Sequence, residues 1–264
     1  MLKSLYTTAT GMKAQQTMVD MIANNIANVN TSGFKKSQAS FEDLFYVTLQ
    51  SPGLARGTNG DAVPIGTQIG SGTRLNGTTK VFTTGTLEIT ERSLDVAIDG
   101  QGFFSVILPD GATGYTRDGN FHLNADGKLV TGAGNVLTPE VTVPSDTLEI
   151  SIDPEGRVSG RTAGSPDTST QFGQLNIHRF VNPSGMLASG SNVMRPTEAS
   201  GQPTTGAPGS NGLGLLKQGF IERSNVQIVN ELVNLIVAQR AYEVNSRAIK
   251  ASDQMLQTAT NLSR

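Results

Sequence analysis

Large apolar side chains recur every seven positions in the stretch from residue 224 to residue 264, which contains neither glycine nor proline. These positions are Ile228, Leu235, Tyr242, Ile249 and Leu256. Small residues follow the last four of them by three positions, namely Ala238, Asn245, Ser252 and Ala259. A sustained heptad of this kind is typical of a helix that packs along another helix. The pattern predicts one helix of roughly 60 Å, with Ser224 or Asn225 capping its first turn.

The beginning of the chain repeats the same period, since apolar side chains again lie seven residues apart. They are Leu5, Met12, Val19 and Ile26. This spacing predicts a second long helix over residues 2 to 29, and Gly33 is available for a left-handed cap after it. Each helix carries an apolar face that needs cover, so we expect the two helices to pair.

The other faces of the C-terminal helix are poor in charge, and Glu243 and Arg247 form its only clear acid-base pair at a spacing of four. Apolar side chains also lie away from the heptad positions, at Val229, Val233, Ile236, Val237 and Val244. The helix is therefore predicted to have neighbours on several sides. An amphipathic helix packed only on its own domain is the alternative.

Between the helices the chain changes to short segments. Residues 35 to 80 contain a short amphipathic piece and then a run rich in glycine and proline, for which we predict no regular element and an extended linker or arm. Beyond about Val81, apolar and polar residues alternate, which predicts half-buried strands. The alternating apolar positions include Leu87 and Ile89, then Leu94, Val96 and Ile98, and later Leu148, Ile150 and Ile152.

Asp-Gly turns separate these strands at hairpin intervals, at residues 110–111, 118–119 and 126–127, with Asp-Pro-Glu-Gly at 153–156. The predicted fold class is α+β, with long N- and C-terminal coiled-coil-type helices and a central antiparallel all-β domain. The predicted divisions are an N-terminal helix in 1–34, the arm in 35–80, the β domain in 81–189, a return linker in 190–221 and the C-terminal helix in 222–264.

Composition agrees with a turn-rich β body, because 30 glycines and 11 prolines accompany only 16% charged residues. The net charge of −2 does not favour nucleic acid or an anionic membrane as a partner. The absence of cysteine excludes thiol catalysis, disulfides and cysteine-based zinc sites. The N-terminal sequence lacks the apolar core of a secretory signal, so any export is expected to use another route.

Candidate chemistry is sparse. Gly100-Gln101-Gly102 lies between strands and opens no helix, so it is not expected to bind phosphate. The acidic and amide residues from 118 to 126 lack calcium-loop spacing and are better explained as a hairpin. His122 and His178 occupy polar strand positions, typical of surface or rim side chains, without a catalytic partner at motif spacing. We predict no catalytic, cofactor-binding or metal-binding residue, no enzyme activity, and a function that lies in shape and association.

Four stretches resemble the bacterial flagellar rod and hook family. ANNIANVNTSGFKK, residues 23 to 36, looks like the N-terminal signature of the family, and ELVNLIVAQRAYEVNSRAIKASDQMLQTATNL, residues 231 to 262, looks like its C-terminal signature. SLDVAIDGQGFFSV and YTRDGNFHLNADGKLVTGAGNVL are similar to its central β-domain motifs. The match covers nearly the whole chain in the right order. Hook members usually carry a larger outer domain, for which this chain has no room.

The resemblance implies a subunit of the periplasm-spanning rod of the basal body, exported by the flagellar type III apparatus without a cleaved signal peptide. Its partners would be copies of itself in a helical polymer, proximal rod proteins, the hook protein and surrounding ring proteins, with no nucleic acid, small-molecule substrate or cofactor. The heptad positions Leu5, Met12, Val19, Ile26, Ile228, Leu235, Tyr242, Ile249 and Leu256 then become assembly residues.

Two alternatives remain open. One is a proximal rod or hook subunit of the same family. The other is a free-standing β-domain adhesin or binding module that is dimerised through its helices. Such a module would form a small oligomer of fixed size.

Overall fold

The computed structural model describes residues 2–51 and 65–262. Contacts divide the chain into two compact units. The terminal unit comprises Met1–Ile26, Ser37–Thr79 and Ile228–Arg264, and the β unit comprises Ala27–Lys36 and Lys80–Gln227. Helices at both ends of the chain and a central antiparallel β region confirm the α+β class.

The terminal unit is built on two helices, α1 (Leu2–Ala27) and α2 (Ile228–Leu262). Its four described strands form two pairs. The pairs are β1 (Ser37–Asp43) with β4 (Thr73–Lys80), and β2 (Tyr46–Gln50) with β3 (Thr67–Gly70). In the described chain, no helix is long and apolar enough to cross a membrane.

The paired strands correct one expectation from the sequence. The glycine-rich run was predicted to contain no regular element, yet Thr67–Gly70 pairs antiparallel with Tyr46–Gln50. Hydroxyl and apolar side chains at Thr48, Val47 and Ile69 suit a pleated strand better than the surrounding glycines suggested. Residues 52–64, which belong to the same run, lie outside the described residues.

The β unit contains short strands arranged around one sheet of seven strands, in the order β16-β17-β8-β7-β11-β10-β9. The strands of this sheet are β7 (Phe104–Ile107), β8 (Thr113–Thr116), β9 (Phe121–Leu123), β10 (Leu129–Thr131), β11 (Val136–Thr138), β16 (Leu187–Ala188) and β17 (Val193–Arg195). A second sheet consists of β12 (Thr147–Ile152), β13 (Arg157–Thr162) and β14 (Ser165–Gln174).

Three two-stranded ribbons complete the described strands of this unit. They pair β6 (Val96–Asp99) with β19 (Leu215–Gln218), β5 (Leu87–Ile89) with β20 (Phe220–Glu222), and β15 (Ile177–Arg179) with β18 (Thr204–Gly206). All three ribbons are antiparallel, and each joins strands far apart in sequence. The ribbons therefore tie the return segment to the central strands.

The core of the β unit confirms part of the predicted alternation. Val96, Ile98 and Ile152 are buried in one continuous apolar cluster. Ile89 and Leu148 were expected to point inward but remain 67% and 69% exposed. Period-two alternation identifies the faces of a strand, but neighbouring elements decide which face is covered.

The predicted turns are confirmed at three of four places. Asp110-Gly111 joins β7 to β8, Asp126-Gly127 joins β9 to β10, and residues 153–156 join β12 to β13. The hairpin predicted at Asp118-Gly119 is wrong, because β8 and β9 lie at different positions of the seven-stranded sheet. Gly119 instead accepts a hydrogen bond from the Val96 amide through its carbonyl, at 3.0 Å.

The two helix boundaries differ in how well the sequence predicted them. Gly33 adopts the expected left-handed conformation, with φ of +67°, after α1 has ended. The predicted caps of α2 do not form, because the helix begins at Ile228. Ser224 Oγ accepts from the Val226 amide at 3.2 Å, and the Asn225 side chain joins Lys36 N and Val81 O.

Candidate assembly interface

The predicted assembly positions of α1 lie along a partly covered helix. Leu5, Met12, Val19 and Ile26 are all half-buried. The most buried side chains of the helix are instead Ala14, Ile22 and Asn25. Each of the four predicted positions therefore keeps apolar surface that further packing can cover.

On α2 one heptad row is more deeply buried than the large residues. Glu231, Ala238 and Ser252 are buried and Asn245 is half-buried, each seven residues from the next, whereas the predicted small position Ala259 is exposed. The predicted large positions divide into two groups. Leu235, Ile249 and Leu256 are half-buried, whereas Ile228 and Tyr242 are exposed.

The two helices approach each other closely where α1 has a glycine. A Cβ atom at Gly11 would lie 3.1 Å from Asn245 Nδ2, which is tight for a real contact. Small residues at such a position let two helix backbones come near. The two helices therefore approach each other at this point within the terminal unit.

A second face of α2 is apolar and uncovered. We call Val229, Val233, Ile236, Val237 and Val244 the outer stripe, and all five side chains are exposed. Their spacing of three, four and seven places them on one side of a helix.

The charge pattern differs slightly from the prediction, since Glu243 pairs with Arg240 at 3.5 Å rather than with Arg247.

The ribbon of β2 and β3 is also apolar and open. Phe45, Tyr46, Val47, Leu49, Ile65 and Ile69 are exposed on it and beside it. A two-stranded ribbon alone is marginally stable in water. This one is attached to α1, since Lys3 Nζ donates to Ile69 O at 2.9 Å and Thr10 Oγ1 accepts from the Thr73 amide at 3.4 Å.

A buried ion triad lies where the two segments of the β unit meet. Lys35 Nζ lies 2.6 Å from Glu222 Oε1, and Arg117 Nε lies 2.8 Å from Glu222 Oε2. None of the three side chains is more than 4% exposed. Lys35 belongs to the first segment of the unit and Glu222 to the end of the second, so the triad joins them.

Backbone groups add further hydrogen bonds to this triad. Lys35 Nζ also donates to Thr83 O at 2.7 Å, and the Gly85 amide donates to Glu222 Oε1 at 2.8 Å. Arg117 Nη1 donates to the carbonyl oxygens of Gly100 and Gly102, both at 2.9 Å. The Gly-Gln-Gly motif therefore binds an arginine of its own chain.

The charges of the triad do not cancel, because two cations face one carboxylate. Burial alone would raise the pKa of Glu222, but Arg117 and then Lys35 hold it below its ordinary value. Burial lowers the pKa of Lys35 despite the attraction of Glu222. Sequence reasoning missed this cluster, although Lys35 lies in the recognised N-terminal signature.

The histidines carry no reactive arrangement. His122 is exposed and His178 is half-buried, as expected for surface or rim positions. Its Nε2 lies 2.8 Å from Ser105 Oγ, while that hydroxyl donates to Thr138 O at 2.7 Å. Ser105 is buried and its proton is already donated, so the pair is structural. Burial lowers the pKa of His178.

Three family models match successive parts of the chain. The model described as "Flagella basal body rod protein" matches residues 5–35, "Flagellar hook protein FlgE/F/G D1 domain" matches 97–160, and "Flagellar basal body rod FlgEFG protein C-terminal" matches 217–262. Each matched region contributes one residue of the buried triad.

Similarity to rod proteins extends over the full length. The chain is 47% identical over 269 residues to the flagellar basal-body rod protein FlgG of Borreliella burgdorferi, with 100% of both chains covered. It is 46% identical over 262 residues to FlgG of Buchnera aphidicola subsp. Schizaphis graminum, covering 99% of this chain and 100% of that one. The chain belongs to the FlgG family of flagellar basal-body rod proteins.

Similarity to a hook protein is more limited. The chain is 45% identical over 140 residues to the flagellar hook protein FlgE of Helicobacter mustelae, covering 52% of this chain but 30% of that protein. Full-length similarity to FlgG rod proteins, against similarity over about half of this chain to the hook protein, favours the rod over the hook. The prediction of a structural subunit of the distal rod, without enzyme activity, is confirmed by the full-length relatives.

Proposed function

We propose that copies of this chain polymerise helically through α1 and α2 into the rigid, hollow shaft that carries motor torque to the hook. Within a copy, the row of α2 through Ala238 and Ser252 is already covered. Between copies, the outer stripe, together with Ile228 and Tyr242, packs in coiled-coil fashion against the half-buried heptad positions of neighbouring helices. A contact between different surfaces of identical copies does not close on itself, so it generates a filament.

The exposure of the outer stripe is the observation that carries this proposal. The whole stripe lies on a helix of 35 residues that also exposes Leu232 and Met255. Contiguous apolar surface of this extent marks a site of protein association. Since members of the family build basal-body rods, the occupant is another copy of the chain.

In this proposal, residues 46–73 act between copies as a brace. They form the central part of the predicted 35–80 segment, and only these residues are called the arm from here on. Its described apolar side chains gain cover when they lie across a neighbouring subunit, and this contact opposes sliding between adjacent rows of subunits. Resistance to sliding is what a stiff shaft needs. The described part of the arm is already attached to α1 through Lys3 and Thr10, so a load on the arm reaches the helices.

Family membership supports a wider assignment, which belongs to the same proposal. The rod spans the periplasm, and its subunits leave the cytoplasm through the flagellar type III apparatus without a cleaved signal peptide. Proximal rod proteins, the hook protein and the surrounding rings are its neighbours there. No cofactor is required, because the work of the subunit is mechanical.

A substitution at Ile236 separates assembly from folding. Ile236 is 56% exposed, so Ile236→Asp should leave the chain folded while placing an unpaired charge in the subunit contact. Leu235 and Ile249 are less informative because they are already half-buried. We expect unchanged circular dichroism and no polymer in sedimentation, whereas the control Gln239→Asp, at an exposed polar position, should still polymerise.

Two outcomes would contradict the proposal. Normal polymerisation of Ile236→Asp would show that the outer stripe is not a subunit contact. A wild-type chain that stops at a small oligomer of fixed size, at every concentration and on every template, would favour a binding module instead.

A further inference from the structure

A small cavity opens on the β unit beside the buried triad. It has a volume of about 200 Å³, and its wall includes Phe82, Phe103, Phe180 and Val181 together with Arg117 and Arg179. The three aromatic rings lie edge to face, with centroids 5.5 Å apart for Phe82 and Phe103 and 5.9 Å apart for Phe103 and Phe180. The cavity is therefore lined both by apolar side chains and by two arginines.

Both arginines of the cavity can bind a further anionic partner. Arg117 Nη2 is buried and has no hydrogen-bond partner among the described residues. Arg179 is exposed, and no described acidic side chain forms an ion pair with it. The neighbouring triad adds an excess of one positive charge. An anionic group at the mouth of the cavity would be attracted by all of these charges.

The size of the cavity restricts its occupant. Pockets for drug-sized ligands measure about 300–1,000 Å³, so this cavity is too small for one of them. An aromatic ring matches its volume and its edge-to-face lining. The cavity thus fits one aromatic side chain that carries a carboxylate close by.

The chain itself presents such a group immediately before the arm. Phe45 is 91% exposed, the highest value among the large apolar side chains that the structure describes. Asp43, two residues earlier, is also exposed. Its carboxylate hydrogen-bonds with Tyr46, which raises the pKa of that phenol, and it retains lone pairs for a further donor.

We propose that Phe45 of one copy inserts into the Phe82–Phe180 cavity of a second copy, where Asp43 pairs with Arg179. This contact rests on the proposed helical assembly and specifies one of its intersubunit contacts. It covers the two most exposed large apolar side chains among the described residues, since Val181 at the cavity is 89% exposed. Donor and acceptor surfaces differ, so the contact repeats from copy to copy without closing.

Cysteine pairing tests this contact in assembled polymers. The chain has no native cysteine, so introduced thiols report only on their own positions. Polymers grown from an equal mixture of Phe45→Cys and Val181→Cys chains should give a cross-linked dimer on mild oxidation. A mixture of Phe45→Cys with Leu148→Cys is the matched control, because Leu148 is an exposed apolar residue elsewhere on the β unit. Polymers of each variant alone show any pairing of like positions.

The outcomes separate this contact from assembly itself. Polymers that give no cross-link with Val181→Cys, or give as much with Leu148→Cys, would overturn the contact and leave the proposed function standing. Failure of the wild-type chain to polymerise would contradict the proposed function, and the contact with it.

Charge reversal provides a second measurement that needs no change at Phe45. Asp43→Lys or Arg179→Asp alone should raise the critical concentration for polymerisation about threefold, the effect expected for an exposed ion pair. The double variant should restore the wild-type value. If the double variant instead raises the critical concentration by the combined effect of both single variants, the two side chains do not meet.

Discussion

Lys35 Nζ and Glu222 Oε1 lie 2.6 Å apart in the interior of the β unit, although 187 residues separate them in sequence. The Gly33 amide donates to the carbonyl oxygen of Glu222 at 2.7 Å, which adds a backbone contact at the same place. These bonds hold the two segments of the β unit together at one point.

Removal of the Glu222 carboxylate should strongly destabilise the β unit. Glu222→Gln leaves Lys35 and Arg117 buried without a counter-charge, a change that typically costs about 3–5 kcal/mol of unfolding free energy. Urea denaturation followed by circular dichroism measures it. The control Glu155→Gln breaks an exposed pair with Arg157 and should leave the denaturation midpoint unchanged. Equal midpoints for the two variants would show that the triad contributes no stability.

The lowered pKa of Glu222 predicts how the stability of the β unit depends on pH. The folded-state pKa of Glu222 is lowered, so its stabilising effect is present above its ordinary value of 4.5 and is lost as pH falls through the lowered value. Asp118 acts in the opposite sense, because burial raises its pKa. The stability difference between wild type and Glu222→Gln isolates the first effect. It should shrink as pH falls below about 5, and a constant difference would contradict the assignment.

Gly33 should tolerate no side chain. Its φ is +67°, and a Cβ there would lie 2.7 Å from the backbone of Arg117 and Asp118. Gly134→Ala is the matched control, since Gly134 also has positive φ, at +83°, but has open space around it. The control should lose only the strain of the left-handed conformation, about 1–2 kcal/mol. We expect a larger loss for Gly33→Ala in thermal melts, and equal losses would rule out the close approach.

Removal of the arm should make the polymer less stiff without unfolding the subunit. The Leu44 amide donates to Gly72 O at 2.9 Å, so a short linker can replace residues 46–70 between points that already meet. Electron micrographs of polymers should show curved, more flexible or unstable rods. A variant with Val47, Leu49 and Ile69 changed to serine keeps the ribbon and tests its apolar side chains alone. Straight rods of unchanged stiffness from the deletion would show that the arm is dispensable.

The helices and several hairpins could be predicted from the sequence because their signals are local. Heptad spacing identified both helices, and two Asp-Gly turns and the Asp-Pro-Glu-Gly turn identified three hairpins. Long-range relationships left no such signal. Glu222 meets Lys35 and Arg117 only once strands distant in sequence have paired, and Asp118-Gly119 resembles a hairpin turn although its flanking strands do not pair.

Burial along α2 also could not be predicted from heptad spacing alone. The sequence identified large residues every seven positions, but in the folded chain the small row through Ala238 and Ser252 is covered and Ile228 and Tyr242 are not. Helical periodicity gives the faces of a helix, whereas the order in which partners cover them depends on the assembly. The exposed positions are therefore those that the proposed polymer should bury.

Helical reconstruction of the assembled rod by electron cryomicroscopy tests the central claim most directly. We expect α1 and α2 of neighbouring copies to form the innermost wall of a hollow tube, with Val233 and Ile236 buried between subunits. A closed oligomer, or a tube in which the outer stripe of α2 faces solvent, would contradict assembly through these helices.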